Sequence, residues 1–78
     1  MSKRDETLII LMEECSEVIK ECSKIIRFGG DTEDLAKELG DLICMIDLTT
    51  KNLDITNDEI EDAYHEKHIK LLAWSNII

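Results

Sequence analysis

Between Leu8 and Ile26 an apolar residue recurs at every third or fourth position, through Leu8, Leu11, Met12, Cys15, Val18, Ile19, Cys22, Ile25 and Ile26. A helix gathers that spacing into one stripe, whereas a strand would scatter it over two faces. No proline interrupts the chain, and no β-branched residues alternate with polar ones, so the expected fold class is all-α. The first helix is expected from about Asp5 to Phe28, stopped by Gly29-Gly30. Asp31 or Thr32 can cap a second helix that carries Leu35, Leu39, Leu42, Ile43, Ile46 and Leu53 on one side and ends near Asn52. Thr56 followed by Glu59 has capping-box spacing, which starts a third and more polar helix running to about Trp74. No internal repeat, low-complexity tract or linker divides the chain, so residues 1–78 read as a single helical domain.

A lone core in a chain of 78 residues supplies no more than about 3–5 kcal/mol, and some staple is therefore expected. Disulfides do not suit the role: Cys15, Cys22 and Cys44 are odd in number and lack CxxC or Cys/His metal spacing. Lying in apolar helical stretches, they are expected to behave as small buried hydrophobes, a usage that fits a reducing, cytoplasmic compartment. The segment Leu42-Ile43-Cys44-Met45-Ile46-Asp47-Leu48 is apolar almost all the way round and needs cover on several sides. The expected staple is self-association: a helical hairpin plus a third helix, assembling as a homo-oligomer with a four-helix-bundle core, either a dimer or a tetramer built as a dimer of dimers. The start lacks a signal-peptide pattern, because the run Leu8 to Met12 meets Glu13-Glu14 at once, and no run approaches a membrane span. A net charge of −9 repels nucleic-acid polymers. A small phosphorylated ligand remains accessible if metal ions bridge it to the acids.

Two acidic pairs, Glu14 with Glu17 and Glu38 with Asp41, lie in mid-helix among apolar neighbours. A spacing of three sets both carboxylates of a pair on one side of a helix. Helical projection places Glu14, Glu17 and Glu21 along one flank of the first stripe, with Glu38 and Asp41 along the second, so an antiparallel hairpin could set the flanks side by side. Two like charges roughly 5 Å apart repel by about 3 kcal/mol at an effective dielectric near 20, which a hard cation such as Mg²⁺ would relieve. The spacing alone is weak, since about four acid-x-x-acid pairs arise by chance in so acidic a chain. Asp31/Asp34 reads as helix-start chemistry, and Asp58/Glu61 and Glu59/Asp62 as first-turn acids that complement a helix dipole. From pattern alone, a metal site and a solvated acidic flank both stand. Gly40, between Glu38 and Asp41, points to close approach by a neighbouring helix or a ligand, because glycine in mid-helix costs about 1 kcal/mol relative to alanine.

The run Glu13-Glu14-Cys15-Ser16-Glu17, followed after twenty residues by Glu38-Leu39-Gly40-Asp41, resembles the EExxE…ExxD signature of the MazG-like all-α nucleoside triphosphate pyrophosphohydrolases. Ser23-Lys24-Ile25-Ile26-Arg27-Phe28-Gly29 is similar to the SKxxRFG segment of their short phage and bacterial members. Glu66-Lys67-His68-Ile69-Lys70-Leu71, with Trp74-Ser75, is similar to their closing EKxxKL…WS. The resemblance implies that Glu14, Glu17, Glu38 and Asp41 hold Mg²⁺, with Mn²⁺ as a substitute. It implies hydrolysis of an NTP or dNTP between the α and β phosphates to a monophosphate and pyrophosphate, for control or sanitation of the nucleotide pool in a bacterial or phage-infected cell. Lys24, Arg27, Lys67 and Lys70 match basic positions of those segments and become candidates to hold phosphate; otherwise they are ordinary surface cations.

The residue chemistry suits such a reaction, because phosphoryl transfer needs positioning and charge neutralisation above all. One carboxylate not consumed by the metal would orient the attacking water as general base; Glu17 or Glu38 is expected in that catalytic role, and Glu13 in a supporting hydrogen bond or salt bridge. Phe28 and Tyr64 are expected in the core, and Trp74 over a pocket of a neighbouring subunit. With so short a turn after Phe28, little chain is left for base recognition, and specificity is expected to be loose or to draw on an oligomer partner. Two rival readings exist. A di-iron bundle normally needs Glu-x-x-His on two helices, and only Asp62-Ala63-Tyr64-His65 comes near it; His65 and His68 read more simply as exposed or interfacial residues of a polar helix. A non-enzymatic oligomerisation or regulatory module would use its acidic flank only for solubility and would not respond to Mg²⁺.

Overall fold

The computed structural model describes residues 1–78 and consists of three α-helices without strands: α1 (Lys3–Phe28), α2 (Glu33–Asn52) and α3 (Asn57–Trp74). The ends are set by local chemistry. Ser2 caps α1, its hydroxyl accepting from the Asp5 N–H at 3.0 Å, so the helix begins ahead of the Asp5 expected from the apolar period. At the other end Gly29 and Gly30 take φ of 73° and 106°, a region that glycine enters without steric cost, and the Gly29 N–H donates to the Ile25 carbonyl at 2.8 Å. Thr32 occupies the N-cap position of α2, yet the capping bond comes from Asp31, whose carboxylate accepts from the Glu33 N–H at 3.0 Å. At α3 the Thr56 hydroxyl accepts from the Glu59 N–H and donates to its carboxylate, each at 3.1 Å.

The short Gly29–Thr32 connection folds α2 back antiparallel on α1, and the far ends meet where the Asn52 amide donates to Thr7 Oγ1 at 3.0 Å. Thr7, Leu11, Glu14, Val18, Glu21 and Ile25 of α1 are buried or half-buried, as are Leu35, Glu38, Leu42, Met45, Thr49 and Asn52 of α2. Steps of three and four along each row are those of a coiled-coil seam. The stripe read as continuous on α1 is thus two rows. Glu14 and Glu21, expected on its flank, stand inside the row that faces α2.

The second row, Met12, Cys15, Ile19, Cys22 and Ile26, is exposed along its whole length, and so are Leu39, Ile43 and Ile46 on α2. α3 packs against neither helix beyond a marginal contact. The molecule measures 39 × 30 × 15 Å, and α1 and α2, the one pair of helices that packs, form a single layer. A single layer has no interior: the only buried residues are Thr7 and Thr49, and no apolar residue is buried. Within one chain, three expectations change accordingly. Cys15, Cys22 and Cys44 are exposed, Phe28 and Tyr64 lie 75% and 66% exposed instead of in a core, and a methyl group added at Gly40 would meet nothing within 4 Å. Each follows from having one layer where a core needs two. No helix is long and apolar enough to cross a membrane.

Candidate metal and nucleotide site

Because α1 and α2 run antiparallel, Glu14 faces the turn of α2 that holds Glu38 and Asp41. One carboxylate oxygen from each of the three lies within 4.8 Å of the others. Glu14 and Glu38 are half-buried and Asp41 is exposed, so the cluster opens at the edge of the seam. Glu14 Oε2 is shielded from solvent and has no hydrogen-bond partner. Its surroundings push the Glu14 carboxyl above the ordinary range, first through desolvation and then through the charges of Asp41, Glu38, Glu17 and Glu13. An unsatisfied, crowded carboxylate is costly in a packed hairpin. A donor set made only of carboxylate oxygens fits a hard dication and retained water, and no thiol, the softer ligand, belongs to it. Of the four carboxylates expected to converge, three do. Glu17 is half-buried one turn along α1, adds its charge to the field on Glu14, and keeps its oxygens outside the trio.

The expected cations divide between two places. Lys24 stands on α1, with Nζ 3.1 Å from Glu21 Oε1. Arg27 lies near the end of the same helix with its guanidinium 5.0 Å from the centroid of the Phe28 ring. Lys67, Lys70 and Trp74 are on α3, which does not pack on the hairpin, so one chain does not bring them to its own carboxylates. There Lys67 Nζ is 5.8 Å from the Trp74 ring centroid, and Lys70 pairs with Glu66 at 3.3 Å. Glu13 is exposed and its side chain forms neither a hydrogen bond nor an ion pair; beyond the helix ladder, its backbone carbonyl accepts from the Ser16 hydroxyl at 2.7 Å. The largest concavity, about 440 Å³ lined by Asp47, Thr50, Lys51, Ile55, Thr56 and Asn57, is at the α2–α3 corner and includes none of the expected site residues.

Two features went unread in the sequence. Glu21 has a side chain only 12% exposed and carries Lys24 as its resident cation; the i, i+3 spacing was the available signal. An ion pair between helix neighbours adds only about 0.2–0.5 kcal/mol, whereas burying a leucine at such a position contributes about 1.5–3 kcal/mol, so stability does not account for an acid there. The other is the clasp at the hairpin's open end, where Thr7 accepts from Asn52 and donates to the Lys3 carbonyl at 2.7 Å, and Thr49 donates to the Met45 carbonyl.

No match was found among curated proteins or among solved structures. The model of the MazG nucleotide pyrophosphohydrolase domain matches residues 3–71, a span that takes in α1, α2 and α3 as far as Leu71 and so includes the carboxylates, Lys24, Arg27, Lys67 and Lys70. With nearly the whole chain matched and an all-helical fold that gathers acids from both arms of its hairpin, the protein belongs to the MazG nucleotide pyrophosphohydrolase family.

Proposed function

We propose that the protein hydrolyses nucleoside or deoxynucleoside triphosphates between the α and β phosphates, releasing a nucleoside monophosphate and pyrophosphate, with Mg²⁺ or Mn²⁺ as cofactor. The observation that carries this reading is the Glu14–Glu38–Asp41 cluster, with its buried and unpartnered Glu14 oxygen, in a member of this family. Glu14, Glu17, Glu38 and Asp41 would hold the cation, which when bound neutralises phosphate charge and acidifies the attacking water. The protein's own part is to place groups. Glu17 is better placed than Glu38 to accept the water's proton, because its oxygens stand outside the trio and a base must keep a free lone pair. Lys24 and Arg27 supply positive charge on the helix that carries Glu14 and Glu17.

The oligomer belongs to the same proposal. Two rows of exposed apolar residues on a single-layer hairpin call for a second copy to complete a four-helix bundle, as dimer or tetramer. Lys67, Lys70 and Trp74, on a helix that leaves its own hairpin, would then serve the site of a neighbouring copy. Acting on free nucleotides, such an enzyme would adjust or cleanse a cytoplasmic nucleotide pool. The test is to incubate the protein with each common NTP and dNTP plus Mg²⁺ or Mn²⁺ and to identify the products. Monophosphate with pyrophosphate supports the proposal; diphosphate with orthophosphate, or no turnover, rejects it.

A further inference from the structure

We propose that Glu21 is a positioning residue: it holds the Lys24 ammonium at a fixed point along α1, ready for the polyphosphate end of the substrate. The inference rests on the nucleotide reading above and adds to it a residue whose part is to aim another. Glu14 and Glu21 occupy equivalent positions of the same seam, seven residues and therefore about 10.5 Å apart along the helix axis. Their surroundings differ, and Glu14 alone lies among other carboxylates. Glu14 Oε2 has no partner, while Glu21 has the Lys24 ammonium at 3.1 Å.

Helical side chains lean toward the N-terminus, and Lys24 does so here, reaching back one turn to Glu21 and so toward the carboxylate cluster. Half of its side chain is exposed and only 12% of that of Glu21, so the anchored partner is the acid and the one facing outward is the base. An ammonium has three donors; with one on Glu21, two remain for phosphate oxygens, and the pair need not break when a ligand arrives. Without Glu21 the long Lys24 side chain would lose rotamer freedom only on binding, a cost that falls on affinity. An apolar residue would serve the seam better, which leaves the aim of Lys24 as the effect of the acid.

The experiment is calorimetric titration of inorganic tripolyphosphate with Mg²⁺ into the wild-type protein, Glu21→Gln, Glu21→Asp, Lys24→Met and the Glu21→Gln/Lys24→Met double variant, with KM and kcat measured alongside. Ordering one long side chain corresponds to roughly three- to tenfold in affinity. Glu21→Gln should therefore bind tripolyphosphate that much more weakly and raise KM by a similar factor, with kcat within about twofold. Glu21→Asp should recover part of the loss, and Glu21→Gln should add nothing in the Lys24→Met background. Thermal melts establish that each variant is folded; should Glu21→Gln fail to fold, Glu21→Asp with and without Lys24→Met gives the same cycle. Unchanged binding in the Glu21 variants, or an equal loss with and without Lys24, overturns the inference while leaving the nucleotide reading intact. Failure of the wild-type protein to bind tripolyphosphate with Mg²⁺ also overturns the inference, while the nucleotide reading falls only if NTPs and dNTPs are not turned over to monophosphate and pyrophosphate.

Discussion

Two polar clusters interrupt the same hairpin seam and treat their polarity in opposite ways. At the open end, Asn52 donates to Thr7 while Thr7 and Thr49 donate to the carbonyls of Lys3 and Met45, and the two threonines are the only buried residues of the chain. In the middle, Glu14, Glu38 and Asp41 converge without a counter-charge, and a shielded Glu14 oxygen is left without a donor. A polar residue inside a seam is thus uninformative by itself. What distinguishes a clasp from a candidate site is whether its groups satisfy one another, because a closed network stabilises while an open one costs free energy until something binds. The comparison can be broken by showing that the middle cluster does nothing, or that the end cluster does more than hold the helices together.

The largest effect is expected from Glu38→Gln and Asp41→Asn. Both keep the shape of the side chain and remove one charge from the trio. Each should lower turnover by about 10²–10³-fold, the scale for removing one preorganised electrostatic group, while circular dichroism retains the helical signal. Wild-type rates in both variants would mean that the trio is not the site.

Helix boundaries were largely legible because their causes are local. The two glycines after Phe28 and the Thr56–Glu59 cap act within a few residues, and the apolar period begins later than α1 does only because Lys3 and Arg4 carry none of it while the start signal lies in Ser2. Which row of a wide stripe faces which neighbour was not legible. Projection at 100° per residue gives a direction and no partner, so the α1 stripe read as one face where α2 covers only half of it. For the same reason the pattern points Phe28, Tyr64 and the cysteines to a core that one layer cannot form, and the approach expected at Gly40 is absent within the chain. The convergence of Glu14 with Glu38 and Asp41 could be anticipated from an antiparallel hairpin. The displacement of Glu17 could not, since the i, i+3 spacing is the same for 14/17 as for 38/41, and only the second pair keeps both carboxylates in the trio.

The second expected effect separates the middle cluster from a solvated acidic flank by its response to cation and proton. If the trio binds Mg²⁺, ligand at about 100 times its dissociation constant adds about 2.7 kcal/mol of stability, an increase of several degrees or more in Tm for a chain of this size. EDTA should remove it, and comparison at one protein concentration keeps self-association out of the difference. Protons should act in the same sense. The Glu14 carboxyl titrates above its ordinary 4.5 in the folded protein, so between 4.5 and that raised value the folded state binds more protons than the unfolded chain. The metal-free protein should therefore lose stability as pH rises through this window and regain it on acidification. Glu14→Gln removes the titrating group: in EDTA it should melt above the wild-type protein at neutral pH, converge with it near pH 4.5, and show no Mg²⁺ response. A difference between the two proteins that does not vary with pH would place Glu14 in ordinary solvent.

The smallest effect should come from the clasp. Asn52→Ala removes one donor from Thr7 Oγ1, which retains its bond to the Lys3 carbonyl. The loss is then that of a single neutral hydrogen bond, about 0.5–1.5 kcal/mol, seen as a drop of a few degrees in Tm. Its value lies in what should not move. The clasp and the trio are separated by about two turns of α1 and three of α2, a distance over which substitutions that share no partner act independently. Turnover, the Mg²⁺-induced rise in Tm and its pH dependence should all match the wild-type protein once the lower starting Tm is subtracted. If Asn52→Ala instead blunts the Mg²⁺ response, the two clusters are coupled through the register of α1 against α2, and the clasp sets how closely Glu14 approaches Glu38 and Asp41.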